Sequence, residues 1–206
     1  ADLTPVRGSG GKRRGGSGGL RVVRRAVPRA KAPPRSAPAF PPRDGATPRQ
    51  LALFEIVRAR ARVVAAIHGT APAAAERCPA AGRWSVREAV LSLHAWDVEC
   101  ARALEPALSG VRPAWLGRGP GEPACLDEAL LAPLRALPWD EALRRLHAGH
   151  ARLLEAIESL PEEPAELWTR DHPLGGILAM VPENDRRHAE IIQEARTAAT
   201  PPPRTP

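Results

Sequence analysis

Apolar residues recur at spacings of three and four along four stretches of this chain and nowhere alternate with period two, so the pattern predicts four long helices and no sheet. The first spans residues 47–67, with Thr47 as cap, Pro48 at the first helical position and Leu53, Ile56, Val57, Val64 and Ile67 as its buried stripe. The second covers 85–108. There Ser85 and Glu88 form a capping box, Trp84 can staple onto Ala89, and Val86, Ala89, Val90, Leu93, Trp96, Cys100 and Leu104 face inward. The third, 139–160, presents Leu143, Leu146, Leu153, Leu154 and Ile157. The fourth covers about 174–197, and Pro182 should break or kink it, because proline removes a helix hydrogen bond.

A Pro- and Gly-rich stretch at 105–137, with a short helix at 126–131, separates the second and third helices. A connection this long frees the neighbours it joins to run parallel. Residues 1–47 belong to another physical class. The first fifty positions hold twelve of the chain's 30 Lys and Arg but two of its 23 Asp and Glu, with eight Pro and eight Gly. Such a segment cannot bury enough apolar surface to offset its ordering entropy, and we expect a disordered tail. The acids outnumber the bases in the remainder, so the high isoelectric point is a property of the tail and not of a basic groove. A single domain at 48–198 and a Pro-rich tail at 199–206 complete the expected organisation.

No apolar run approaches the roughly 20 residues needed to span a bilayer, so no membrane partner is expected. The tail lacks an apolar segment behind its Arg pairs and does not read as a secretory signal. An Arg-rich, acid-poor leader fits a transit peptide, though its Pro and Gly oppose the amphipathic helix; an upstream start-site error accounts for it as well. Three cysteines without C-x-x-C spacing, Cys78, Cys100 and Cys125, point to a reducing compartment, hence the cytoplasm, and Cys100 sits on the buried stripe of the second helix.

Residues 82–91, G-R-W-S-V-R-E-A-V-L, followed by Trp96 and Asp97, resemble the second helix of the DinB/YfiT-like four-helix bundles, and within them the ClbS/DfsB-like branch. Residues 138–160 look like that branch's third helix, and E-N-D-R-R-H-A-E-I-I, 183–192, like its last. The resemblance implies an all-α bundle with a crossover between helices two and three. Members that bind a divalent metal usually carry one histidine eight residues after the helix-two tryptophan and two more, four apart, on the last helix. Here the first position is Ser92, and the pair falls on Asn184 and His188, or in a second register on His188 and Ile192. We favour the former, because Ile192 then matches the family's usual aliphatic. A Ser hydroxyl and an Asn carbonyl are poor substitutes for imidazole, so the resemblance implies a degenerate site without metal or other cofactor.

On the last helix Asn184 and His188 interrupt the stripe of Ile177, Val181, Ile191 and Ala195, a cost unless they find partners. The leading expectation is a small-molecule-binding protein, extending to a metal-independent hydrolase or transferase. In it His188 is general acid or base, Asn184 orients a carbonyl or amide, and Ser92 and Trp96 contact substrate. A hydrogen-bonded core histidine is the competing reading of His188. His94 is expected beside Asp97 as a boundary pair, and His147 and His150 as amphipathic boundary residues, His150 at a position where the branch often carries His. The alternative from another class is a non-catalytic interaction module whose basic arm binds an acidic partner or, through counterion release, nucleic acid.

Overall fold

The computed structural model describes residues 45–79, 83–117 and 123–199. The expectations for residues 1–44 and 200–206, including the basic arm, lie outside them. Within the described residues the chain is all-helical. Helices α1 (Pro48–Ile67), α3 (Val86–Leu108), α5 (Trp139–Glu158) and α6 (Pro173–Ala199) are the four long elements, with short α2 (Pro72–Ala75) and α4 (Pro123–Leu131) between them. Neither α2 nor a 3-10 turn at Ala165–Trp168 is signalled by periodicity, since each is only about one turn long.

The helix starts follow their capping chemistry. Thr47 accepts from the Gln50 amide while Gln50 reaches back to the Thr47 amide, and Ser85 and Glu88 do the same for α3, each exchange satisfying two otherwise orphaned N–H groups. Trp84 packs as a half-buried residue against the core cluster that contains Ala89. Helix α6 runs through Pro182 without a break, contrary to one of the two outcomes expected there. Proline costs a helix roughly 3 kcal/mol. Burial on both flanks offsets that cost: Ile177, Leu178 and Val181 enter one core cluster, Ala189, Ile192 and Ala195 the other.

On α1 the buried stripe is Ile56, Ala59, Arg60, Val63, Ala66 and Ile67, whereas Val57 and Val64 are exposed. This corrects the expected stripe. Its rotation follows from Arg60, whose inward-facing guanidinium has partners that a sequence pattern does not display.

The meeting residues fix the helix directions. Arg60 meets Asp185, and Arg196 meets the Ala66 carbonyl, so α1 and α6 run parallel. Arg87 reaches the Leu137 carbonyl just before α5 and Asp97 lies beside His150, so α3 and α5 are also parallel. Ser92 meets His188 and Arg83 meets Glu194, setting α3 antiparallel to α6. The parallel α3 and α5 are the pair that the long connection joins. They approach closely at Gly149, where a Cβ would stand 2.7 Å from His94 Nδ1, which accounts for a glycine in mid-helix.

Candidate functional site

From the α3 cap, two helical turns bring Ser92 onto the buried face, and α6 presents His188 to it; both side chains have no solvent exposure. His188 Nδ1 lies 2.9 Å from the Asn184 carbonyl oxygen and Nε2 lies 3.2 Å from Ser92 Oγ. A carbonyl only accepts, so Nδ1 carries the proton, Nε2 is the acceptor and the Ser92 hydroxyl donates to it. Burial lowers the His188 pKa to about 4 against the pull of that carbonyl, with Arg187 and Arg60 also disfavouring the cation. Trp84 covers the ring at 5.7 Å between centroids, tilted by 33°.

The four residues singled out from the sequence are therefore brought together only in part. Ser92 and His188 touch. Asn184 takes part through its backbone carbonyl, and its half-buried amide makes no hydrogen bond among the described residues. Trp96 is buried but engaged elsewhere: its Nε1 donates to Asp127 Oδ1 at 2.5 Å and its ring meets Trp115 edge-on at 5.4 Å.

The donor set at Ser92, Asn184 and His188 does not fit a divalent metal. The single imidazole spends both nitrogens on protein partners, and among the described residues no group of three His, Cys, Asp or Glu side chains is placed to hold one.

A second polar cluster lies deeper in the bundle. The Arg60 guanidinium forks between two carboxylates, bonding Asp97 at 2.8 and 3.0 Å and Asp185 at 2.9 and 3.0 Å, and all three residues are buried. Burial pushes Asp97 up to about 6 and Asp185 upward as well, against the opposing pull of Arg60. This corrects the pairing expected for Asp97. Its partner is Arg60, while His94 sits half-buried with Nδ1 against Gly149 and no hydrogen bond to that nitrogen. His150 Nδ1 is 4.0 Å from Asp97 Oδ2, and burial drives its pKa to about 3, helped by Arg60 and His147. His147 is exposed, so the two α5 histidines do not converge.

Arg60, Asp97 and Asp185 all lie off the inward stripes expected from the sequence, which is why the triad was not anticipated.

Asp127 on α4 likewise escaped the sequence reasoning. It is 1% exposed, its Oδ1 accepts from Trp96, and its Oδ2 has no hydrogen-bond partner. It lines a cavity of about 410 Å³ together with Pro79, Trp84, Arg187 and Ile191. Burial raises its pKa against the opposing effects of Trp96 and Arg187. Nothing in the local pattern marks it, because α4 follows a Pro- and Gly-rich approach and its contact with α3 is purely tertiary.

Among the described residues no helix is long and apolar enough to cross a membrane. Neither the curated proteins nor the solved structures contain a significant match to this chain. The DinB superfamily family model matches residues 55–192, a span that includes Arg60, Ser92, Asp97, Asp127 and His188. On that match, the chain belongs to the DinB superfamily.

Proposed function

We propose that this DinB-superfamily protein binds a small molecule in the cavity between the approach to α3, α4 and α6, with the Ser92–His188 pair sealed behind Trp84, outside the cavity lining and without a metal. The observation that carries the reading is Asp127, a buried carboxylate lining a roughly 410 Å³ cavity, with one oxygen hydrogen-bonded and the other lacking a hydrogen-bond donor. A buried acceptor left without a donor costs free energy that a ligand can return, and the volume is in the range of small-molecule sites, about 300–1,000 Å³. The phrases at 82–91, 138–160 and 183–192 support placing the chain in the ClbS/DfsB-like branch, and its sparse cysteines support a cytoplasmic setting.

A metal-independent hydrolase or transferase is a second reading, favoured by the 3.2 Å approach of Ser92 Oγ to His188 Nε2. With Nδ1–H held by a carbonyl, the neutral imidazole is oriented to take the Ser92 proton, as a nucleophile and base require. Both side chains are sealed, so turnover needs Trp84 to move aside. Binding needs no such movement and is the simpler reading.

The experiment is a thermal-shift screen of a small-molecule library against the wild type and Ala198→Trp, which fills the cavity wall. Hits that disappear in the variant support the reading; hits that shift both proteins equally overturn it. Labelling of Ser92 by a fluorophosphonate, lost in His188→Ala, would move the assignment to hydrolase. Stoichiometric Zn or Ni in purified protein, lost in the same variant, would overturn the metal-free reading of the Ser92–His188 pair.

A further inference from the structure

We propose that the cavity beside Trp84 takes a ligand carrying a protonated amine, with the ammonium held by Asp127 Oδ2 against the Trp84 ring. The inference rests on the cavity reading and adds the charge of what enters.

Charge pairing around the cavity supplies the first argument. Glu128 is held by Arg135 through both carboxylate oxygens, and Glu194 is paired with Arg83. Those four charges are spoken for. Arg187 NH1 stands 3.8 Å from Asp127 Oδ2, beyond hydrogen-bonding distance, and its side chain is 52% exposed, so it screens the carboxylate without satisfying it. Oδ2 therefore lacks a hydrogen-bond donor, and it belongs to a cavity-lining residue that is only 1% exposed, so a ligand reaches it by a small shift of that wall.

The chemistry of that oxygen supplies the second. An ionised carboxylate only accepts, so the incoming group must donate, and a ligand carboxylate or phosphate placed there would meet like charge. A charged donor forms a shorter and stronger bond to it than a neutral one. Trp84 lines the same cavity, and its indole is the ring type that attracts cations most strongly. Trp96 adds orientation: by donating to Oδ1 it anchors the carboxylate and leaves Oδ2 as the oxygen without a hydrogen bond. Trp96 thus acts on the ligand through Asp127.

Arg187 is the internal competitor of any such cation. Removing it should help an amine and harm an anion, a result that a merely structural Asp127 would not give.

Phenethylamine, 2-phenylethanol and 3-phenylpropionate share one skeleton with a positive, neutral and negative end, and isothermal titration calorimetry of the full chain at pH 7.5 compares them. The amine is expected to bind at least tenfold more tightly than either isostere. Asp127→Asn, which keeps an oxygen for Trp96, should erase that preference; Arg187→Ala should tighten the amine about threefold; Ala198→Trp should abolish binding. Should Asp127→Asn lose its native circular dichroism, the Arg187→Ala comparison decides by itself. Equal or tighter binding of the alcohol or the acid, or an amine indifferent to Asp127 and Arg187, overturns the amine assignment while leaving the cavity reading intact. Failure of all three probes also overturns it, whereas failure of the cavity reading appears separately, as library hits indifferent to Ala198→Trp.

Discussion

Ser92 and His188, ninety-six positions apart, meet Oγ to Nε2 at 3.2 Å with no solvent access to either. The hydroxyl is the only donor that Nε2 has among the described residues, since Nδ1 is taken by the Asn184 carbonyl. Ser92→Ala should therefore leave a buried acceptor unpaired and cost about 1–3 kcal/mol. Urea denaturation with an unchanged slope and a lowered midpoint checks this; an unchanged midpoint would mean that the two groups do not bond.

The buried histidines set a pH dependence whose sign can be worked out. Burial pushes His188 down to about 4 and His150 down to about 3, both below the ordinary imidazole value near 6.5. As pH falls the unfolded chain takes up their protons first, so the stability they contribute is whole above pH 6.5 and is lost on descent toward the folded values. Asp97 has the opposite sign. Raised from 3.8 to about 6, it contributes most below pH 3.8 and less as pH rises through 6, which partly cancels the histidines between those limits. The clean observable is His188 by itself: its Cε1 proton resonance should stay at the neutral position down to about pH 5. The stability lead of wild type over His188→Gln should shrink as pH drops, by at most about 1.4 kcal/mol per pH unit. A His188 midpoint near 6.5 would contradict the sealed geometry.

The α3 cap offers a third test. Ser85 Oγ accepts from the Glu88 amide at 3.2 Å and Glu88 Oε2 accepts from the Ser85 amide at 2.9 Å, with Ser85 itself buried. Ser85→Ala should cost about 0.5–2 kcal/mol. Because this cap sets the register that turns Ser92 inward, the same variant should weaken any ligand found in the cavity; full affinity at reduced stability would separate the cap from the site.

Legibility in the sequence followed the range of the interactions. Caps and amphipathic stripes are written within a few residues, so Thr47, Ser85 and the starts of α1, α3 and α5 could be read directly. Ser92 and His188, which meet at 3.2 Å, were singled out through the family resemblance, since Ser92 is not on the stripe expected for the second helix. Pairing across the bundle was not. The exposed Val57 and Val64 look apolar enough to be core, and Arg60 looks like surface, until Asp97 and Asp185 stand opposite it. Asp127 was beyond reach for the same reason, its burial depending on Trp96 thirty-one positions away.

That triad carries the last prediction. Arg60 bonds both carboxylates from a position 6% exposed, while Asp97 and Asp185 are 3% and 1% exposed, so removing the cation strands two buried acids. Arg60→Met should cost about 3–5 kcal/mol at neutral pH, the usual penalty for breaking a buried ion pair. The deficit should shrink on acidification. Burial already favours the protonated form of Asp97, with its pKa at about 6, and loss of Arg60 removes the main influence opposing that shift. Replacing all three by apolar residues of similar size, Arg60→Met with Asp97→Leu and Asp185→Leu, should recover most of the loss, because desolvation of the charges disappears with the charges. Thermal unfolding at pH 7.5 and pH 5 decides between this account and a weaker one: an Arg60→Met deficit below about 1 kcal/mol, or one that grows at the lower pH, would mean that the carboxylates do not depend on Arg60 for their place in the core.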